Sequence, residues 1–251
     1  MTASPSFSII TVCRNAQELI GDTVQSLADQ TIRDFEYLVI DALSTDDTLG
    51  EVRRHAAALP LKIVSEPDQG IYDAMNKGVR LGTGQWIYFL NAGDRFADTH
   101  VLERVASGVR EAPDAELAYG DAIYCYGDTQ RLVSFEWLTP RNLPFEHLCH
   151  QAVFGRRSLF DRIGGFDIQY RLNADFDWLL RAFRSGARHA YLGFPIVLYD
   201  TEGVSEKQED FRRAERKRVR TRYLPRLFGE PMFWGYRGYR KALRLAGLSE
   251  R

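Results

Sequence analysis

Cysteines are few and long apolar runs are lacking, and these two shortages limit what the chain can be. Its 251 residues contain three cysteines, Cys13, Cys125 and Cys149, an odd number without a CxxC pair. This pattern argues against a disulfide framework and indicates a reducing compartment. No apolar stretch is long enough to cross a bilayer, and no signal-peptide pattern precedes Phe7. We therefore expect a cytoplasmic protein that is not an integral membrane protein.

Two common nucleotide-binding signatures are also missing. The first predicted strand is not followed by GxGxxG, which disfavours a dinucleotide-dependent dehydrogenase. Gly82-Thr83-Gly84 lacks the glycine and lysine that complete a phosphate-cradling loop. We interpret this tripeptide as the end of a helix.

Charge is distributed unevenly along a chain whose formal net charge is only -1. Between Arg212 and Arg244 there are twelve Lys or Arg residues against Glu215 and Glu230 alone. The C-terminal fifth is thus a separate electrostatic unit. With 45% hydrophobic residues the rest can bury a substantial core. We expect one domain over residues 1–205 and a basic helical extension over residues 206–251.

The first half alternates apolar, strand-like runs with helix-like segments. Strands are predicted at 7–13, 36–40, 61–64 and 86–90, and helices at 15–27, 44–58 and 71–81. Asn15 with Glu18 suggests a capping box for the first helix, and Ser44 with Asp47 suggests a similar start for the second. Such alternation predicts an α/β fold with a Rossmann-like, mainly parallel central sheet flanked by helices.

The second half is less regular. Strand pieces are predicted at 118–121, 123–126, 151–154 and 190–199, and helices at 158–163 and 174–184.

Polar residues directly follow each of the first four strands. They are Arg14, Asp41, the loop 66–70 and the tetrapeptide 91–94. Because ligands in open parallel sheets gather at the carboxyl ends of the strands, we expect these residues to converge on one crevice. Asp94 supplies a hard oxygen ligand of the kind that Mg²⁺ or Mn²⁺ prefers. Asn91-Ala92-Gly93-Asp94 taken alone slightly favours a simple turn over a metal site.

Six segments in order resemble the motifs of family 2 glycosyltransferases. They are Ser8–Ala16, Asp41–Thr48, Ser65–Gly78, Trp86–Asp94, Cys149–Phe154 and Ala174–Leu180. The resemblance spans roughly residues 7 to 205. It implies a GT-A fold, a nucleotide-diphosphate-sugar donor, a divalent cation, Mg²⁺ or Mn²⁺, and transfer with inversion.

The resemblance also implies roles for individual residues on the donor side. Asp94 corresponds to the metal ligand, and Asn91 should lie near the ribose or diphosphate. The other implied donor-binding residues are Arg14, Asp41, Asp68, His150 and Gln151. Many relatives carry Asp where Asn91 stands, and Gly93 occupies the place of a third acid. We therefore expect a weakly held metal that binds together with the donor.

Asp175 matches the position of the catalytic base in the family. Asp175 and Asp177, at i and i+2, point to different faces of the predicted helix and cannot both serve one site. Asp177 has Arg181 one turn later and is interpreted as a solvated ion pair, whereas Asp175 lies in the first turn, where the helix dipole favours an anion. Ala174 stands where the family often has Glu.

Two further groups of polar residues have simpler interpretations. Lys77 could contact the diphosphate, but its spacing from Asp73 favours an ordinary surface ion pair. His147, Cys149 and His150 match no common zinc-site spacing, so a zinc site is not expected.

The basic extension contains an amphipathic pattern that begins at Pro231. An apolar stripe of Met232, Tyr236, Tyr239 and Leu243 lies beside a stripe of Arg237, Arg240, Lys241 and Arg244. Such a helix suits an anionic membrane surface. Alternatively, its apolar stripe packs on the catalytic domain with residues 216–222 solvated beside it. No recognised nucleic-acid module accompanies the arginines, so no nucleic-acid partner is expected.

The sequence therefore predicts an inverting glycosyltransferase that moves a sugar to a hydroxyl of a saccharide or lipid-linked acceptor. The expected process is cell-surface polysaccharide or glycolipid biosynthesis, and a lipid-linked acceptor would need the enzyme on the inner face of the cell membrane. The alternative is a non-catalytic nucleotide-sugar-binding scaffold of the same fold.

Overall fold

A mixed sheet organises the chain in the computed structural model, which describes residues 5–146, 148–201, 208–224, 233–236 and 238–239. The strands are β1 (Phe7–Cys13), β2 (Phe35–Asp41), β3 (Leu61–Ser65), β4 (Trp86–Phe89), β5 (Arg95–Phe96), β6 (Leu117–Tyr126), β7 (Thr129–Val133), β8 (Val153–Arg156) and β9 (His189–Asp200). The helices are α1 (Gln17–Ala28), α2 (Thr48–His55), α3 (Ile71–Leu81), α4 (Val101–Glu111), α5 (Arg157–Ile163), α6 (Ala174–Arg184) and α7 (Glu209–Tyr223).

Strand order confirms the α/β prediction. The sheet runs β3-β2-β1-β4-β8-β6-β9-β5, with β7 paired to β6. The first four strands in this order are mutually parallel. β8 runs antiparallel to both β4 and β6, while β9 is parallel to β6. The carboxyl ends of β4, β6 and β9 therefore share one edge with those of β1 to β3.

Continuous burial explains why these apolar runs form central strands. Every residue of β1 and of β4 is buried. Parallel strands covered by helices on both faces show such unbroken hydrophobic runs. Aromatic rings extend the core from β4 to β8, where Tyr88 stacks on Phe154 with centroids 4.2 Å apart.

Two predicted helix starts are wrong. α1 has no side-chain cap, because Asn15 adopts a left-handed φ of 49° and its Oδ1 accepts the Thr45 N–H at 2.8 Å. α2 begins four residues beyond Ser44, whose hydroxyl and N–H instead bind the Asp41 carboxylate. The loop after β1 and the loop after β2 are thus hydrogen-bonded to each other at the carboxyl ends of these strands. The predicted stop of α3 is confirmed, since the helix ends at Leu81 before Gly82.

The basic extension is folded onto the rest of the chain where it is described. α7 packs against α6, and Val219 and Arg220 are buried. Residues 216–222 are therefore not uniformly solvated. Most of the predicted amphipathic helix lies outside the described residues, but Tyr236 stacks on Phe145 at 5.2 Å. No helix within the described ranges is both long and apolar enough to span a membrane.

Candidate active site

The strand register brings the predicted polar residues to one edge. Cys13 pairs with Asp41, and Asp41 pairs with Ser65, so the residues that follow β1 and β3 flank the end of β2. The Leu90 N–H donates to the Ile10 carbonyl, which places the segment after β4 beside β1. The predicted convergence of strand ends is confirmed.

Asn91 to Asp94 is a turn at this edge, so the local interpretation also holds. The Asp94 N–H donates to the Asn91 carbonyl at 3.0 Å. Gly93 has a φ of +100°, and a Cβ there would lie 3.2 Å from the Asp200 Oδ2. Glycine therefore allows both the backbone conformation and the close approach of a second carboxylate.

Asp94 is a buried carboxyl group with both oxygens engaged. It is 4% exposed. Its Oδ1 accepts the Asp200 N–H at 3.0 Å, and its Oδ2 accepts the Gln151 Nε2–H at 3.1 Å. Burial raises the pKa of Asp94 to about 7, although these hydrogen bonds and the nearby His150 act in the opposite direction. The ionised form is thus short of compensating positive charge.

Asp175 lies in the first turn of α6 and is held from two sides. Its Oδ1 accepts the Tyr72 hydroxyl at 2.7 Å, and its Oδ2 lies 3.1 Å from His150 Nδ1. Burial and the Asp175 charge raise the pKa of Tyr72 well above its usual value, so this hydroxyl stays protonated and donates. Such donation favours the carboxylate form of Asp175.

His150 connects the two parts of the site. Its Nε2 lies 3.4 Å from the Asn91 Nδ2, while its Nδ1 faces Asp175. Asn91 Oδ1 is buried without a hydrogen-bond partner among the described residues. Leaving a buried acceptor unpaired costs about 1–3 kcal/mol, so this oxygen is suited to a ligand hydroxyl or a cation.

Asp177 has a separate, structural environment. It is fully buried, and its Oδ2 accepts the Arg181 Nε–H at 2.8 Å. Its Oδ1 accepts the Tyr223 hydroxyl at 2.6 Å. The prediction of a solvated pair is therefore wrong about burial. The pairing with Arg181 and the separation from the environment of Asp175 are confirmed.

The carboxylates of Asp41 and Asp68 accept hydrogen bonds from residues at the strand ends and in the loops where they lie. Asp41 is 1% exposed, and its carboxylate accepts the hydroxyls of Ser44 and Ser65. Asp68 Oδ1 accepts the Gly70 N–H at 2.8 Å. Both residues lie at the strand-end crevice, and their contact with a nucleotide stays a prediction.

The two basic residues near this edge differ. Arg14 is exposed at the end of β1. Lys77 contacts Glu66 at 3.0 Å and Asp73 at 3.7 Å, and its side chain is only 13% exposed. The predicted Lys77–Asp73 pair is confirmed, but it is not an ordinary surface pair, because both side chains are mostly enclosed and Lys77 also anchors the loop after β3.

The sequence reasoning missed three residues around this site. Tyr72 lies inside one of the recognised motifs but looked like part of the apolar face of α3. Asp200 ends β9, and the rule of polar strand ends would have identified it had the predicted strand been extended past Tyr199. Glu215 stands in a run of arginines, where no sequence pattern marks it as buried.

The fit to a divalent cation rests on oxygen atoms. Asp94, the carboxylate of Asp200 beside it and the unpaired Asn91 Oδ1 form an oxygen-only set, which suits Mg²⁺ or Mn²⁺. Within the described residues, which do not include His147, no group of three or more His, Cys, Asp or Glu side chains could hold a metal. The set therefore fits an ion that takes most of its ligands from a bound diphosphate.

Solved structures show the class of fold to which this chain belongs. The chain is similar to Staphylococcus aureus TarS 1-349 in complex with UDP-GlcNAc, with a TM-score of 0.73 and 20% identity, covering 91% of this chain and 70% of that one. It is also similar to the mannosyltransferase PcManGT from Pyrobaculum calidifontis in complex with GDP-Man and Mn²⁺, with a TM-score of 0.69 and 20% identity, covering 100% and 77%. The fold is that of the GT-A glycosyltransferases.

The family follows from the sequence comparisons. The family model described as "Glycosyl transferase family 2" matches residues 8–164. A PGL/p-HBAD biosynthesis glycosyltransferase of Mycobacterium tuberculosis is 39% identical over 191 residues, covering 74% of this chain and 72% of the relative. An uncharacterized glycosyltransferase of the same species is 30% identical over 226 residues, covering 83% and 80%. The chain belongs to glycosyltransferase family 2.

Proposed function

We propose that this glycosyltransferase moves a sugar, with inversion, from a nucleotide-diphosphate donor to a hydroxyl of a saccharide or lipid-linked acceptor. The observation that carries the proposal is the juxtaposition of two carboxylates in different roles. Asp175 is held ready for a proton, and Asp94 lies in the turn at the donor end. His150 contacts Asp175, and Gln151 donates to Asp94. One three-residue helical turn therefore contacts both carboxylates.

The reaction needs one base and one leaving-group site. The acceptor oxygen attacks the anomeric carbon as the bond from that carbon to the diphosphate oxygen breaks. Asp175 takes the acceptor proton, and the electron pair of the broken bond leaves with the diphosphate. A positioned carboxylate contributes roughly 10²- to 10⁴-fold as general base. A single displacement inverts the anomeric configuration.

We assign the donor side to the strand-end residues. Asp94 would hold a divalent cation, with Asn91 Oδ1 facing the same ligand and Asp200 as the second acid. When bound, such an ion offsets the charge of the leaving diphosphate. Arg14, Asp41 and Asp68 line the nucleotide end. The complexes of TarS with UDP-GlcNAc and of PcManGT with GDP-Man and Mn²⁺ support a nucleotide-sugar donor and a cation here.

Transfer assays test this function directly. Thermal-shift screening of uridine, guanosine and thymidine diphosphate sugars with Mn²⁺ identifies the donor by the rise in Tm on binding. Product formation with a saccharide or lipid-linked acceptor, and the anomeric configuration of the product by NMR, then test the reaction. Retention of configuration would refute the single displacement. Tight donor binding without transfer or donor hydrolysis would favour the non-catalytic scaffold instead.

We also propose that the C-terminal extension contacts an anionic membrane surface, which places a cytoplasmic enzyme on the inner face of the cell membrane. Trp234 is 62% exposed and Tyr239 is 61% exposed, in a segment rich in arginine. Exposed Trp and Tyr with basic residues suit the lipid headgroup region. The relative named for PGL/p-HBAD biosynthesis supports a cell-envelope acceptor.

Point variants test the membrane contact better than truncation, since removing the extension would also remove buried residues of α7. Trp234→Ala with Tyr239→Ala should weaken co-sedimentation with vesicles that contain anionic lipid. Leu132→Ala, at a 57% exposed position on β7, is the matched control. Equal vesicle binding by the Trp234→Ala, Tyr239→Ala variant and by the Leu132→Ala control would refute the proposed membrane contact.

A further inference from the structure

His150 lies between the two halves of the reaction centre, and each ring nitrogen faces a different partner. Nδ1 lies 3.1 Å from Asp175 Oδ2, and Nε2 lies 3.4 Å from Asn91 Nδ2. The side chain is only 19% exposed. A neutral imidazole has one donor and one acceptor nitrogen, which matches a carboxylate on one side and an amide N–H on the other.

The hydrogen-bond pattern fixes the direction of each contact. Nδ1–H donates to Asp175, because a carboxylate only accepts. Nε2 then accepts from the Asn91 amide, which leaves the buried Asn91 Oδ1 without a partner in the described chain. That oxygen can accept a hydrogen bond from a hydroxyl of the nucleotide sugar or ligate the cation. Contact of a ligand with Asn91 would therefore orient the amide, the imidazole and the carboxylate together.

We propose that His150 is a positioning residue that couples the base Asp175 to the donor contact Asn91. This proposal rests on the function proposed above. Tyr72 holds one oxygen of Asp175 and His150 contacts the other, so His150 helps to position the oxygen that the acceptor hydroxyl meets. Misplacement of a reacting group by about 1 Å can cost roughly 10²-fold in rate.

Two substitutions of His150 by an amide residue separate its contact with Asp175 from its contact with Asn91. In His150→Asn the new amide nitrogen would lie near the former Nδ1, so this variant retains a donor to Asp175 and loses the contact with Asn91. In His150→Gln the longer side chain would carry its amide to the former position of Nε2, so this variant retains a contact with Asn91 and loses the donor to Asp175. His100→Asn, at a 61% exposed histidine also near a carboxylate, is the control.

We expect opposite kinetic signatures from the two variants. His150→Gln should lower kcat about 10- to 100-fold with donor Kd close to wild type. His150→Asn should keep kcat within a few-fold and raise donor KM about 10-fold. Identical signatures, or full kcat in His150→Gln, would overturn the proposal. Absence of transfer by the wild-type protein would instead refute the proposed function, so the two failures are distinguishable.

A different contact carries a second inference, at the start of α6. Glu215 of α7 is 6% exposed and accepts the N–H groups of Arg171 and Leu172, each at 2.7 Å. It also accepts the Asn173 Nδ2–H at 3.2 Å. Asn173 is the N-cap of α6, two residues before Asp175. Glu215 therefore fixes the segment that presents the base.

We infer that Glu215 is a positioning residue contributed by the basic extension. Glu215→Gln retains the shape but replaces one acceptor oxygen with a donor facing an N–H or amide group. We expect kcat per folded molecule to fall about 10-fold, with donor Kd unchanged. Glu209→Gln, which alters an exposed pair with Arg213 on the same helix, should leave kcat unchanged. A lower Tm with unchanged kcat would reduce Glu215 to a structural role.

Discussion

The proposed donor side of this site, around Asp94, and the proposed base side, around Asp175, are built in different ways. On the donor side, each polar residue directly follows a strand, and residues 14 to 94 supply Arg14, Asp41, Asn91 and Asp94 within one parallel unit. On the base side, Asp175 depends on Tyr72, which is 103 residues away in sequence, and on His150. A local sequence pattern marks the donor side, although Gln151 and Asp200 hold Asp94 from distant segments. No such pattern marks the contacts that hold Asp175.

This difference predicts which substitutions slow the chemical step and which weaken binding of the donor. The donor-side residues lie at the ends of strands held by a backbone ladder, but Asp94 is also a buried acceptor, and its removal leaves the N–H groups of Gln151 and Asp200 without that acceptor. The base is held by side chains from α3, the turn at His150 and α7. Changes there should alter the rate of the chemical step more than the binding of the donor.

The largest expected effect comes from the base itself. Asp175→Asn should lower kcat roughly 10²- to 10⁴-fold while donor Kd and Tm stay near wild type, because the amide has a similar shape but cannot accept the proton. Steady-state kinetics and calorimetric titration of the donor measure the two quantities. Wild-type turnover by this variant would refute the assignment.

Asp177→Asn provides the matched control, two residues away on the same helix. It weakens a fully buried pair with Arg181, so the free energy of unfolding should fall by about 3 kcal/mol. Its kcat per folded molecule should remain near wild type. Loss of rate without loss of stability would show that Asp177, and not Asp175 alone, takes part in the reaction.

The next largest effect tests the donor side. Asp94→Ala should lower kcat/KM roughly 10²- to 10³-fold, because stabilisation of the leaving diphosphate is lost. Binding of the nucleotide should also lose its dependence on Mn²⁺, which calorimetric titration with and without a chelator can measure. Asp114→Ala, at an exposed pair with Arg188, should change neither. A Mn²⁺ dependence that persists in Asp94→Ala would place the ion elsewhere.

Tyr72→Phe should have a smaller effect, confined to the base side. Loss of the hydroxyl that donates to Asp175 removes one of the contacts that position this carboxylate, so kcat should fall about 10-fold with donor Kd unchanged. Tyr191→Phe removes a Tyr–Asp hydrogen bond of the same 2.7 Å length at Asp121, away from the site, and should leave kcat unchanged. Equal kcat in Tyr72→Phe and wild type would contradict this role.

The sequence predicted the donor side because its signals are local. The pattern of an apolar run followed by a polar residue occurs four times and is visible in the sequence alone. Parallel pairing of the four strands then places these polar residues together. Asp175 was identified by its motif and by its place at a helix start. Tyr72 was missed because a buried aromatic on a helix face resembles ordinary core, and its hydroxyl matters only once α6 lies beside α3.

The burial of two acidic residues was also not predicted from the sequence. Asp177 has Arg181 one turn later, which suggested a solvated pair, and Glu215 stands in a run of arginines. Both are buried because α6 and α7 pack together, and each is satisfied by donors brought from distant segments. Burial of a charge depends on tertiary packing, which a one-dimensional pattern of charges does not contain.

The smallest predicted effect concerns the stability of the protein without metal. Burial raises the pKa of Asp94 to about 7 from its ordinary value of 3.8. Between those pH values the folded protein keeps a proton that the unfolded chain has lost. Stability from the protonated carboxyl is therefore complete below about pH 4 and is lost as the pH rises through 7.

Asp94→Asn isolates this contribution, because the amide cannot titrate and Gln151 can reverse its own amide to accept from it. With a chelator present, the Tm of the variant minus that of wild type should increase by a few degrees from pH 4 to pH 8. Differential scanning calorimetry at a series of pH values measures it. A difference independent of pH would mean that Asp94 is ionised in the folded protein throughout, and the donor side would then hold its negative charge without needing a cation to offset it.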